Sequence, residues 1–225
     1  RRNVRHRRLR RRKVRGHGHC RKHPFDQKAY FMGKNRLETL FDGVLAIIIT
    51  IMVLEMHIPS GHDMDALWPL APVIFSYVMS FIYLGIYWNN HHHMLYVCDK
   101  VTGSILWANL HLLFWLSLIP FTTAWMGESN FSAQPVALYG FVLLMTSFAY
   151  WMLQHRIIVS QGEQSRLKYA VGSDWKGRLS MLFYLAGTLL SFVSQWLALA
   201  IYIAIAILWL IPDQRIERSL NHEAH

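Results

Sequence analysis

Five long apolar segments constrain what this chain can fold into. They cover residues 37–58, 68–88, 102–125, 135–157 and 179–211. A helix needs about 20 mostly apolar residues to cross the hydrocarbon of a bilayer. The last segment, at about 1.5 Å per residue, is too long for one crossing, so we expect a tight hairpin of two short spans that turns near 191–195. The sequence therefore predicts an all-α membrane protein with six transmembrane helices.

The basic residues are distributed unevenly along the chain. Residues 1–36 hold 15 of the 23 Lys and Arg residues and one acid, whereas the remainder holds eight basic and 12 acidic residues. With six spans, all 23 basic residues fall on one side, because the loops 57–67 and 126–134 and the turn 191–195 contain none. Cytoplasmic loops carry an excess of Lys and Arg. We therefore expect both termini in the cytoplasm.

This pattern divides the chain into three regions. Residues 1–34 form a basic cytoplasmic tail that we expect to be disordered, since it is polar, like-charged and without a periodic apolar face. Residues 35–215 form the six-span domain, and 216–225 form a short cytoplasmic tail. A compact nucleic-acid-binding domain is excluded, because the basic charge is confined to one end of the chain.

The basic tail predicts a membrane partner. We expect it to rest against anionic lipid headgroups, at roughly 1 kcal/mol per basic residue near the surface. Nucleic-acid binding is not expected as the main role. It stays open as an alternative, together with metal binding by the histidines of this segment, which are His6, His17, His19 and His23.

The first span contains an acid within the membrane. Asp42 lies about one and a half turns inside the helix, where a carboxylate is costly unless it is paired. Arg36 is six positions earlier and points in a different direction, so each needs a partner on another helix. The inner end of span 2 offers Trp88 and three histidines at 91–93. We expect a buried polar network of Arg36, Asp42, Trp88 and one or two of these histidines, His91 and His92 first.

Three adjacent histidines also suggest a metal site. Neighbouring residues of a helix project about 100° apart, however, and do not easily share one ion. We therefore predict no metal and no cofactor. A protonation-sensitive role is the other alternative, since histidine titrates near neutral pH.

Two motifs give the chain a family resemblance. One opens span 1 with Arg36-Leu37-Glu38-Thr39-Leu40-Phe41-Asp42-Gly43 and continues into Ala46-Ile47-Ile48-Ile49-Thr50. The other closes span 2 with Tyr87-Trp88-Asn89-Asn90-His91-His92. Together they resemble the signature of the bacterial members of the transmembrane protein 175 family, relatives of the endolysosomal potassium channel. The resemblance covers residues 35–215. The chain departs from the motif at Leu40, where the family usually has Phe, and at Phe41, where it usually has Ser.

The resemblance implies a potassium-selective, leak-type cation channel in the inner (plasma) membrane of a bacterium, with K+ as the permeant ion. In such a channel four chains form a homotetramer, and span 1 of each chain lines a central pore. A ring of bulky aliphatic side chains, with a Thr ring beside it, forms the constriction.

The residues of span 1 fit that arrangement. Ile47, Ile51 and Leu54 follow an i, i+4, i+7 spacing and share one helix face. Thr50 lies on the edge of that face, and Gly43 would widen the inner end. An apolar stripe of this kind also suits a surface that faces lipid or packs against another helix, so spacing alone does not decide.

Two other functions compete with the channel. A b-type cytochrome would use His111 and His155 as haem ligands, but the six-span arrangement places them at different depths. A proton-coupled carrier would use Asp42 and the histidines, but the sequence shows no inverted repeat with broken spans. The chain has no Walker or dinucleotide glycine loop, no nucleophile elbow and no HExxH. We therefore predict that it is not an enzyme.

Overall fold

The computed structural model describes residues 25–59, 61–98, 100–162, 165, 167–168 and 174–210, with the backbone alone for 25–32. Every regular element in these ranges is helical, which confirms the predicted all-α class for this part of the chain. In chain order the elements are α1 (Phe25–Leu54), a short 3-10 helix (Met64–Leu70), α2 (Ala71–Tyr96), α3 (Gly103–Leu116), α4 (Ile119–Glu128), α5 (Ala133–Gln161), α6 (Trp175–Leu190) and α7 (Gln195–Leu210).

Four helical stretches are long and apolar enough to cross a membrane. Within the described ranges they are Gly33–Leu54, Met64–Tyr96, Gly103–Glu128 and Ala133–Gln161, and they correspond to the first four predicted spans. Helices α6 and α7 have 16 residues each, about 24 Å at 1.5 Å per residue. They are joined by a turn over residues 191–194, inside the predicted hairpin turn. The fifth and sixth crossings stay predictions.

The first helix begins earlier than the sequence indicated. Helix α1 starts at Phe25, so residues 25–34, which we placed in a disordered tail, are helical. Pro24 precedes this start, and the ten residues that follow include no further proline to stop a helix. Residues 1–24 lie outside the described residues. The same holds for residues 211–225, which include the predicted tail at 216–225.

The third predicted span is two helices rather than one. Helix α3 ends at Leu116, and α4 starts at Ile119, directly before Pro120. A proline inside a helix lacks an N–H, and its ring clashes with the carbonyl four residues earlier. The chain therefore breaks its helix at Ser117 and Leu118 and resumes with the proline in the first turn of α4.

Helix α1 lies at one edge of the subunit. It packs chiefly on α2, α3 and α4, whereas α5 packs on α3, α4, α6 and α7. Five side chains of α1 that recur every three or four residues face its neighbours, and each is at most 3% exposed. We call these residues the packed stripe: Leu37, Phe41, Leu45, Ile48 and Met52.

Hydroxyl groups link the helices inside the apolar core. The hydroxyl oxygen of Ser80 on α2 lies 2.7 Å from that of Thr123 on α4 and 3.0 Å from that of Tyr139 on α5. The hydroxyl of Tyr83 donates to the carbonyl of Tyr202 on α7 at 2.6 Å. Such bonds stabilise helix pairs in a membrane, where lipid offers polar groups no partner. They fix α2 against three other helices.

Close packing of α5 on α7 gives a test of this fold. A methyl group added at Gly140 would overlap the hydroxyl of Tyr202, whose side chain is fully buried, and Thr188 Oγ1. We expect Gly140→Ala to lower the free energy of unfolding by about 1–3 kcal/mol through overpacking. The measurement is the midpoint of thermal unfolding in detergent, followed by circular dichroism.

The matched control is Gly33→Ala in α1. A methyl group there meets nothing within 4 Å, and alanine favours a helix over glycine. This variant should keep or raise the midpoint. Equal midpoints for the two variants would contradict the α5–α7 contact.

Candidate functional site

The two sides of α1 differ in burial. The packed stripe faces the subunit, whereas Gly43, Ile47, Thr50 and Leu54 lie on the opposite side and are exposed, Ile47 by 61% and Leu54 by 76%. We call these four residues the free face. Ile51 lies at its edge and is 40% exposed. The structure thus leaves uncovered all five residues that the sequence suggested for a pore.

Thr50 gives the free face a polar group. Its hydroxyl donates to the carbonyl of Ala46 at 2.8 Å. The hydroxyl hydrogen is therefore satisfied within the helix, while the oxygen keeps a lone pair directed outward. Such an oxygen can contact a cation that has lost part of its water.

Asp42 contacts Trp88 at the border of α1 and α2. The indole Nε1 of Trp88 donates to Asp42 Oδ1 at 2.9 Å. The ring of His92 stacks near the indole, with ring centroids 6.2 Å apart and planes 20° apart. The structure therefore brings together three of the residues expected in one network. In the single chain this cluster is open rather than buried, since Asp42 is exposed and Trp88 is 48% exposed.

His91 forms a second contact between α1 and α2. It lies about one turn after Trp88 on α2, on the buried side of that helix. Its ring is buried and stacks on Phe41, with centroids 3.5 Å apart and planes 6° apart. Its Nε2 lies 2.8 Å from Asn109 Oδ1 on α3. This contact joins α1, α2 and α3. Sequence reasoning missed Asn109 and treated Phe41 only as a departure from a motif. The signal for Asn109 was an amide side chain inside a predicted span.

Arg36 does not join either contact. Its side chain is exposed and makes no hydrogen bond or ion pair within the described part of the chain. Lys34 takes a comparable place instead, because its ammonium group donates to the carbonyl of Tyr96 at 3.0 Å and lies 5.7 Å from the centroid of that ring. A lysine at the last carbonyls of a helix is favourable. This contact ties the tenth residue of α1 to the end of α2.

A groove runs between α1 and α2 beside the free face. Its volume is about 310 Å³, and its lining is apolar apart from the Asp42–Trp88 pair. The other lining residues include Ala46, Ile49, Phe81 and Gly85. The groove can therefore take up apolar side chains of a neighbouring molecule.

The histidines considered for haem are engaged within their own helices. Trp115 Nε1 donates to Nε2 of His111 on α3 at 2.9 Å. His155 on α5 stacks on Trp151, with centroids 5.6 Å apart. Among the residues that the structure describes, no group of three or more His, Cys, Asp or Glu side chains is arranged to hold a metal ion.

Comparison with known proteins decides the family. The model described as "Endosomal/lysosomal potassium channel TMEM175" matches residues 36–120, which include both contacts of α1. A potassium channel of Chryseobacterium sp. (strain P1-3) is 53% identical over 190 residues, which are 84% of this chain and 99% of that protein. The chain belongs to the TMEM175 family. The resemblance stated from the sequence is confirmed, and the family and its relatives are ion channels, not enzymes.

More distant relatives resemble the chain in sequence or in fold. A potassium channel of Streptomyces collinus is 28% identical over 157 residues, which are 61% of this chain and 76% of that protein. The crystal structure of a lysosomal potassium-selective channel TMEM175 homolog from Chamaesiphon minutus superposes with a TM-score of 0.70. It is 24% identical, and the match covers 81% of this chain and 98% of that one. It shows the same fold.

The Asp42–Trp88 bond can be tested by a conservative substitution. Trp88→Phe keeps an aromatic ring but removes the indole N–H, which leaves the carboxylate without its donor. Because both side chains are exposed, we expect the free energy of unfolding to fall by about 0.5–1.5 kcal/mol, the usual range for an intramolecular hydrogen bond. The measurement is the thermal midpoint in detergent.

Trp107→Phe on α3 is the control, because the Trp107 side chain is 75% exposed. This variant should unfold with the midpoint of the unmodified protein. If both substitutions shifted the midpoint equally, the bond to Asp42 would contribute nothing of its own.

Proposed function

We propose that this chain forms a potassium-selective, leak-type cation channel. The observation that carries the proposal is the free face of α1, which is uncovered in the single chain while the opposite side is fully packed. The relatives from Chryseobacterium and Streptomyces collinus are named potassium channels, and this supports K+ as the permeant ion. No cofactor is required for such a function.

In the proposed assembly four chains surround one axis, and each turns its free face toward it. Rings of Ile47, Ile51 and Leu54 narrow the pore, and Thr50 places a ring of hydroxyl oxygens beside them. Gly43 carries no side chain and leaves the inner end wider. An apolar ring of this kind controls conduction by excluding water, so a small movement of α1 is enough to open or close it.

A free face of α1 that points to lipid is the alternative to the pore. Polar groups along α1 argue against it, since Arg36, Asp42 and Thr50 are all exposed in the single chain. Charged side chains within a membrane almost always face water or protein. A central position for α1 gives them water, and it lets a neighbouring subunit fill the apolar groove beside Trp88.

The proposal includes the topology of the chain. Six spans, with α6 and α7 as the short fifth and sixth, would place both termini in the cytoplasm of a bacterium and the channel in its inner membrane. The distribution of Lys and Arg supports this arrangement. The basic stretch 1–34 would then lie against anionic lipids, with no nucleic acid as partner.

The constriction can be tested by ion flux into liposomes that contain the purified protein. The unmodified protein should carry more K+ than Na+. Ile47→Asn should raise Na+ flux several-fold and lose the preference for K+, because a polar ring would let hydrated ions pass. Equal flux with and without protein would contradict the channel itself.

Leu182→Asn on α6 is the matched control, since Leu182 is 62% exposed and Ile47 is 61% exposed. It should leave both fluxes and their ratio unchanged. The same loss of preference in both variants would show that Ile47 has no special place in the conduction path.

The oligomeric state can be tested by spin-label distances. With Cys20 and Cys98 replaced by Ser, a label on Leu54→Cys should give two short distances, the side and the diagonal of a square. A label on Leu182→Cys should give longer distances, because α6 would lie away from the axis. A single distance at residue 54, or a longer distance there than at 182, would rule out a fourfold pore lined by α1.

A further inference from the structure

A second cavity lies inside the subunit, away from the free face of α1. It sits where α2, α5, α6 and α7 meet, and its volume open to the centre of a water molecule is about 30 Å³. Aromatic side chains form half of its lining, and one carboxylate and the two amides of Asn90 and Gln154 line it as well. These residues include Tyr87, Tyr150, Tyr184, Trp209, Gln154 and Asp174.

The carboxylate is held in place by local backbone and side-chain contacts. Asp174 precedes α6 with φ 41° and ψ 41°, a left-handed conformation that few residues other than glycine adopt. Gln154 Nε2 on α5 donates to Asp174 Oδ2 at 3.3 Å. A methyl group at Gly177 would lie 2.7 Å from Asp174 Oδ1. The missing side chain at Gly177 thus lets the carboxylate fold over the first turn of α6 and turn toward α5.

The carboxyl group of Asp174 is affected by its own burial and by three neighbouring residues. Burial raises the pKa of this carboxyl group, while the N–H of Gly177, the amide of Gln154 and the charge of Arg178 act in the opposite direction. The Arg178 side chain is exposed, so solvent screens its charge.

The combination of a carboxylate with aromatic faces is selective for one chemical class. Ring faces attract cations, and they do so more strongly where water is excluded. A small amine also donates N–H groups to oxygens, which Asp174, Gln154 and Tyr150 offer on the cavity wall. The cavity has room for about two water molecules, which is the size of a one-carbon amine.

We propose that this cavity is a binding site for a small protonated amine, held by Asp174 and enclosed by the aromatic side chains of Tyr87, Tyr150, Tyr184 and Trp209. Trp151 lines the same cavity and is 36% exposed, so one wall borders the surface of the subunit. The site is separate from the proposed pore and does not rest on the channel function.

A bound amine would lie close to the turn of α2 that contacts α1. The hydroxyl of Tyr150 donates to the carbonyl of Asn90 at 3.4 Å, and Asn90 follows Trp88 by two residues on α2. Binding at the cavity therefore acts on the same turn of α2 that carries the bond to Asp42.

The test uses methylammonium as the probe and the full chain in detergent, in sodium buffer. Saturation-transfer NMR should show a saturable signal from the probe's methyl protons, with half-saturation at millimolar concentration, as suits a ligand of two heavy atoms. Asp174→Asn should weaken binding at least tenfold. Ser147→Met, which fills the cavity and leaves the carboxylate in place, should abolish it.

Two controls separate this site from others. Asp65→Asn removes an exposed acid elsewhere and should leave binding unchanged, and Ile47→Asn should also retain it. If Asp174→Asn unfolds, as its thermal midpoint would reveal, the Ser147→Met result decides. No saturable signal, or a signal that survives Ser147→Met, would overturn the proposal and leave a cavity that holds water only.

Discussion

The rotation of α1 about its own axis is fixed by two neighbouring residues. Phe41 stacks on His91, and Asp42 accepts the indole hydrogen of Trp88. Successive residues of a helix project about 100° apart, so the two contacts hold α1 from different angles against one stretch of α2. A rotation of α1 by one residue would break both and would bring Ile48 in place of Ile47 to the free face. Everything proposed for the pore depends on this rotation.

The departure from the family motif at residue 41 fits the same contact. Phe41 is fully buried and lies nearly parallel to the His91 ring, so the side chain at this position joins α1 to α2 by stacking. Asn109 then fixes the imidazole from α3. Leu40, the other departure, is 45% exposed and takes no part in the contact.

Because of the break before Pro120, the two halves of one membrane-length segment pack against different helices. Helix α3 packs chiefly on α5, whereas α4 packs chiefly on α2. Thr123 lies on α4 and reaches Ser80 on α2, a contact that belongs to the part of the segment beyond the break. Pro120 was present in the sequence, but a span predicted from the length of an apolar segment does not take account of a proline inside it.

The sequence by itself determined the helical class, the positions of the first four membrane-length segments, the hairpin turn near residue 191 and the family. These properties follow from apolar length, from charge distribution and from short motifs, all of which are read along one dimension. It also indicated that Asp42 needs a partner on span 2. It did not indicate that Arg36 would stay apart, that α1 would begin at Phe25, or that Asp174 would close an aromatic cavity.

The tertiary structure alone decided which side of each helix is covered. The sequence of a span that is apolar on all sides does not show which side packs against protein, because lipid and protein both accept the same side chains. Contacts such as Asp42 with Trp88, or Gln154 with Asp174, join residues that are far apart along the chain. These contacts form only if whole helices have the right rotation and bend relative to one another. Packing of the packed stripe of α1 and of the core of α2 to α7 determines that rotation and bend.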